Sequence, residues 1–119
     1  VGARTNFHFK QDEDNTVTLY SHWGGDTKNY DLARALTAAQ GRIAMGDTPY
    51  ALRIMISQLI GDSWDSETGF GILVNQMDRT EEEYHYTMID LTNNTVNDAG
   101  NVVSIQQFID YYSRQTELV

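Results

Sequence analysis

The segment Tyr20-Ser21-His22-Trp23-Gly24-Gly25-Asp26 carries the densest set of groups able to do chemistry. An imidazole exchanges a proton near neutral pH. An indole can stack on a base or ring. Adjacent glycines let backbone amides approach a ligand closely. A helix starting just beyond them would add an anion site at its N-terminus. The structural alternative is a core tryptophan, a hydrogen-bonded histidine and glycines that only make a turn. Both readings are open on the sequence.

A second segment, Glu67-Thr68-Gly69-Phe70-Gly71, places two glycines around Phe70 at the start of a strand. They could mark a bulge or a close backbone approach to a ligand, with Glu67 and Thr68 giving an acceptor and a hydroxyl at the rim. The alternative is a tight loop-to-strand transition. The lysine and spacing of a phosphate loop are absent. Arg53 lies between Leu52 and Ile54 in an apolar helical stretch. If buried, its guanidinium needs a carboxylate, phosphate or carbonyl partner. A structural pair with Glu67 or Asp47 is one reading, and anion recognition is the other. Arg34 and Arg42 fit a solvated helix face.

His22, Trp23, Gly24, Gly25, Arg53, Glu67 and Thr68 are therefore expected to converge on one concavity for a phosphorylated ring ligand. Trp23 would stack on the base. The Gly24 and Gly25 amides with Arg53 would hold phosphate, and Glu67 and Thr68 the ribose. Neither a metal nor a cofactor is expected: His8, His22 and His85 lack ligand spacing, and Asp62, Asp65 and Glu67 lack the calcium-loop pattern. Glu81-Glu82-Glu83 reads as a charged turn that blunts sheet-edge pairing. Ser21 and His22 are neighbours without a Gly-x-Ser-x-Gly elbow. His22 with Asp26 or Glu67 could form an acid–base pair. A small hydrolase using His22 thus stays an alternative, with a binding protein favoured over an enzyme.

These groups need elements to position them. Asn6–Lys10 and Thr16–Trp23 alternate and read as a strand hairpin. Leu32, Leu36, Ala39 and Ile43 make the buried stripe of a helix from about Asn29 to Ala44. Thr48 suits the N-cap and Pro49 the first position of the next helix, with Leu52, Met55, Ile56 and Leu59 inward and Gly61 at its end. Gly69–Gln76 reads as a buried strand and Glu83–Thr92 as the next, turning at Asn93-Asn94 into Thr95–Asn97. Ser104 and Gln107 form a capping box for a last helix, with Ile105, Phe108, Ile109 and Tyr112 inward. The order β-β-α-α-β-β-β-α predicts one α+β domain spanning 1–119. Its antiparallel sheet has four or five strands, with about three helices on one face.

Composition bounds the partners. The 119 residues suffice for one domain, and a net charge of −9 opposes direct nucleic-acid binding. The chain contains no cysteine, which suits a reducing cytosol. No apolar run approaches the roughly 18 residues of a membrane span, and no signal peptide is visible. A cytoplasmic protein without membrane contact is expected.

The segments Leu19-Tyr20-Ser21-His22-Trp23-Gly24-Gly25, Tyr50-Ala51-Leu52-Arg53-Ile54 and Glu67-Thr68-Gly69-Phe70-Gly71-Ile72 occur in that order. Ile89-Asp90-Leu91 and a Ser-Phe-type C-terminal helix follow them. In this combination the chain resembles a family of small proteins from bacteriophages, prophages and some bacteria. The resemblance implies a phage or mobile-element context and, inside an infected host, its cytosol. By analogy with small phage accessory proteins, the expected function is counter-defence by sequestering a nucleotide-type signal, in a homo-oligomer if the pocket forms between subunits. The rivals are an acidic inhibitor occupying a host defence or nucleic-acid-binding protein, and a virion or assembly component.

Overall fold

The alternation of Phe7 and Phe9 with polar residues produces β1 (Thr5–Lys10), which forms a hairpin with β2 (Thr16–Ser21). These elements belong to a computed structural model that describes residues 5–22, 27–75 and 87–117. Phe7, Phe9 and Leu19 are buried on one side of the hairpin. The other side carries His8, also buried, whose Nδ1 lies 2.7 Å from Thr18 Oγ1 across the strand pair.

Two helices follow. In α1 (Lys28–Ala44), Leu32, Ala35, Leu36 and Ala39 recur at helical spacing and are fully buried, while Ile43 is only partly so. Asp31 in the first turn and Arg42 in the last complement the helix dipole. α2 (Thr48–Ile60) starts one residue earlier than the sequence suggests. Asp47, not Thr48, is the cap: its carboxylate accepts from the Tyr50 amide at 3.3 Å and from Arg42 at 3.2 Å. A charged acceptor that can serve both donors outcompetes the threonine hydroxyl. Gly61 ends the helix at φ 56°, a left-handed conformation that glycine adopts without strain. Leu59 and Ile56 pack against the core from partly exposed positions.

β3 (Phe70–Val74) pairs antiparallel with β2, and β4 (Thr87–Asp90) pairs parallel with β1. β4 continues through an Asn94 turn at φ 56° into β5 (Thr95–Asp98). Asp90 holds that turn, accepting from the Thr92 and Asn93 amides at 2.9 and 3.1 Å. A second hairpin leads to β6 (Asn101–Ser104) and then to α3 (Ile105–Glu117). Ser104 Oγ accepts from the Gln107 amide at 3.0 Å, and Gln107 Oε1 accepts from the Ser104 amide at 2.9 Å: the reciprocal capping box is formed.

The fold is α+β, with the helices packed on one face of the sheet; α1 lies between α2 and α3. Three expectations need correction. The described sheet has six strands, in the order β3-β2-β1-β4-β5-β6. The additional strand is β6, and the Ala99-Gly100 turn before it has φ of 52° and 95°, the geometry of a two-residue hairpin loop. The sheet is not wholly antiparallel, because β3 and β4 are not neighbours: the segment between them is long enough to bring the chain from one edge back to β1. Finally, β3 is not buried. Ile72 and Val74 share the helix-bearing side with Leu19 and Val17, yet they are 56% and 61% exposed, since the helical layer stops short of this outer strand.

Candidate functional site

Strand pairing brings two of the candidate segments together. Beyond the Ser21–Phe70 pair, the His22 amide donates to the Gly69 carbonyl at 2.8 Å. His22 therefore lies against the end of Glu67-Thr68-Gly69. Its ring is half-buried, with Nδ1 3.2 Å from the Tyr20 hydroxyl. Glu67 and Thr68 are exposed. Gly69 has φ 104°, a conformation that disfavours any side chain, whereas Gly71 sits in the strand with open space where a Cβ would point. Trp23, Gly24, Gly25, Asp26, Glu81, Glu82, Glu83 and His85 lie outside the described residues.

Arg53 is not brought to this end of the sheet. It is exposed on α2 and donates to Ser57 Oγ at 3.3 Å, one helical turn away. Its side chain lies on the solvent side of the helical layer, while His22 shares with Tyr20 the opposite face of the sheet. Neither Asp47 nor Glu67 is its partner; Asp47 pairs with Arg42, whose guanidinium also lies 4.9 Å from the Tyr50 ring centroid. Solvent satisfies an exposed guanidinium, so the apolar neighbours of Arg53 in sequence imposed no burial. Among the described residues no three His, Asp or Glu side chains are placed to hold a metal ion.

Comparison of the chain with protein-family models, with curated proteins and with solved structures finds no match in any of the three. No described helix is long and apolar enough to cross a membrane.

The opposite edge of the sheet holds a cleft of about 430 Å³ between the β5–β6 hairpin and α3. Val103 and Phe108 give it an apolar floor, Tyr111 and Tyr112 an aromatic wall, and Asp98, Asn101 and Gln107 a polar rim. The two tyrosine rings meet edge-on at 4.8 Å and 76°, and Phe108 packs 4.7 Å from Tyr112. Behind the rim lies a polar network from the start of α1. Lys28 Nζ donates to buried Thr87 Oγ1 at 2.8 Å and lies 3.5 Å from Asp98. Asn29 Nδ2 donates to Asp98 at 3.1 Å and to the Tyr112 hydroxyl at 2.9 Å. These two bonds fix the Asn29 amide, leaving its Oδ1 sealed from solvent without a partner. Burial pushes the Tyr112 phenol above its usual range, and the nearby Asp98 charge adds to this against the hydrogen bond from Asn29.

Sequence reasoning missed this cleft, because β6 and its hairpin were missed. A signal existed: Asn97-Asp98-Ala99-Gly100-Asn101 is a run of turn-forming residues between Val96 and Val102-Val103. A smaller cleft, about 340 Å³, opens between the end of α1 and the start of α3, lined by Ile43, Ala44 and Ile105 among others.

Proposed function

We propose that this chain is a non-enzymatic binding protein of phage-like origin that sequesters a nucleotide-type signalling ligand in the host cytosol. His22 and the Glu67–Gly69 segment would form the protein side of that site. The observation that carries the reading is the 2.8 Å bond from the His22 amide to the Gly69 carbonyl, which makes neighbours of two segments far apart in sequence. An imidazole, a carboxylate and a hydroxyl carried by adjoining segments would match the donors and acceptors of a ribose. Trp23, Gly24 and Gly25 follow His22 directly in sequence and have the ring and unhindered amides such a ligand needs. Arg53 is left out of the site, so the charge holding a phosphate would have to come from elsewhere, from backbone amides or a second subunit.

The test is native mass spectrometry of protein purified from infected or defence-active cells, which reports ligand mass and subunit count together. A retained species of nucleotide mass, lost in His22→Ala and Thr68→Ala variants with unchanged folding, is the expected result. A ligand-free protein in complex with a basic host protein, dissociated by salt, would favour the rival reading as an acidic inhibitor. One observation favours that rival: Ile72 and Val74 of β3, at 56% and 61% exposure, are large apolar side chains left in solvent.

A further inference from the structure

We propose that the cleft between the β5–β6 hairpin and α3 is a second binding site, and that its ligand is a neutral nitrogen heterocycle of nucleobase type, free or as a nucleoside. Its volume of about 430 Å³ lies within the range of small-molecule sites. Its chemistry selects among ligand classes by charge. Its described lining residues include no cationic side chain, so an anion such as a phosphate ester finds no counter-charge there. A cation is poorly rewarded as well, because Lys28 already lies 3.5 Å from the Asp98 carboxylate and offsets its charge. What remains is hydrogen bonding without net charge.

The rim is suited to it. Each Asp98 oxygen has acceptor capacity beyond its contact with Lys28 or Asn29. The Gln107 carbonyl is committed to the Ser104 amide, which leaves its NH₂ as a donor. Asn101 is exposed and supplies both a donor and an acceptor. An edge that alternates N–H and carbonyl groups, as nucleobases have, complements this set. Tyr111 is 58% exposed and offers a ring for stacking above the Val103 and Phe108 floor.

The site is independent of the one proposed around His22, which lies at the far end of the strand order. The experiment is calorimetric titration of the full chain with guanosine, whose N1–H and amino group can donate together to a carboxylate. Guanosine 5′-monophosphate and phenol serve as comparisons. Guanosine should bind, the monophosphate at least about tenfold more weakly because the cleft gives a desolvated phosphate no cation, and phenol more weakly still for want of the polar edge. Tyr111→Ala should weaken guanosine by about tenfold or more through lost stacking, and Asn101→Ala severalfold. Both residues are exposed, so these variants should fold even if Asp98→Asn does not. The titrations use the His22→Ala background, so that any heat belongs to this cleft and not to the first site. No heat with guanosine at millimolar concentration, equal binding of guanosine and its monophosphate, or phenol binding as tight as guanosine would each overturn the proposal.

Discussion

At the β3 edge of the sheet, Ile72 and Val74 lie on the helix-bearing side and are still more than half exposed. At the β6 edge, Val103 occupies the equivalent side and packs against the core, and α3 lies over the hairpin. The first edge is joined to the rest chiefly by backbone pairing to β2 and by Asn75, whose side chain accepts from the Thr16 amide at 2.8 Å. The second is joined by side chains from three sources: Lys28 and Asn29 of α1, Asp98 of β5 and Tyr112 of α3. Backbone pairing tolerates almost any side chain, so the β3 surface is free to vary. A side-chain network does not, so at β6 stability and the shape of the cleft are coupled.

Both edges hang from one core. Phe9 is fully buried in β1, next to both halves of the sheet. Phe9→Ala should cost about 3–5 kcal/mol. Denaturant unfolding should remain a single transition, with tyrosine signals from the β6 side and amide exchange at β3 lost together. Two separated transitions would show that the edges are independent units.

A smaller effect is expected at the network. Asp98→Ala leaves Lys28 and Asn29 without their carboxylate partner. The two charged side chains are 22% and 16% exposed, so solvent relieves part of the loss, and the cost should be about 1–3 kcal/mol. Adding Lys28→Met should recover part of it, as a double-mutant cycle would measure. A loss under about 0.5 kcal/mol would mean that the β6 edge, like β3, is held by its backbone.

How legible each edge was in the sequence follows from the same physics. The helices were legible because burial of one stripe forces apolar spacing, as at Leu32, Leu36 and Ala39. The start of the last helix was legible to the residue because Ser104 and Gln107 are chemically specific caps, whereas its end, expected near Arg114, lies at Glu117. β3 misled because an apolar run reads as buried whether or not a helix covers it. The parallel β1–β4 pair was not legible, since register between distant strands leaves no local mark. At the candidate site, the adjacency of His22 and Glu67–Gly69 could be guessed from chemistry alone, but the direction of the Arg53 side chain could not: only the helix phase decides it. The Lys28–Asp98–Tyr112 network joins residues from three elements, and no spacing rule anticipates that.

The network should also respond to alkali. The Tyr112 phenol is raised above its ordinary value in the folded protein, so the unfolded chain loses its proton first as pH rises. The stabilisation is complete below the ordinary tyrosine range and is lost as pH climbs through the folded value. Thermal melts from neutral pH into that range should show a decline, and Tyr112→Phe should flatten it. An unchanged slope in the variant would mean that the phenol's surroundings differ little between folded and unfolded states. The acid limb has its own contributor in Asp90. Burial opposes its charge, but hydrogen bonds from Thr92 and Asn93 outweigh this and hold the carboxyl below its usual value. Its contribution is present above the ordinary carboxylate range and is lost as pH falls through the lowered one.

The smallest effect is expected at β3. Ile72→Thr replaces one β-branched residue by another, so strand preference is nearly kept. The side chain is 56% exposed, so little apolar burial is forfeited. The change in unfolding free energy should lie within about 0.5 kcal/mol, as for surface positions generally. Binding of guanosine in the β6 cleft should not change at all, since no side-chain network among the described residues links the two edges. A cost above 1 kcal/mol would mean that Ile72 is covered in solution. Native mass spectrometry of wild type and variant would then locate the cover: a dimer lost on substitution points to a second copy seated on β3, whereas a monomer throughout points to burial within the chain itself.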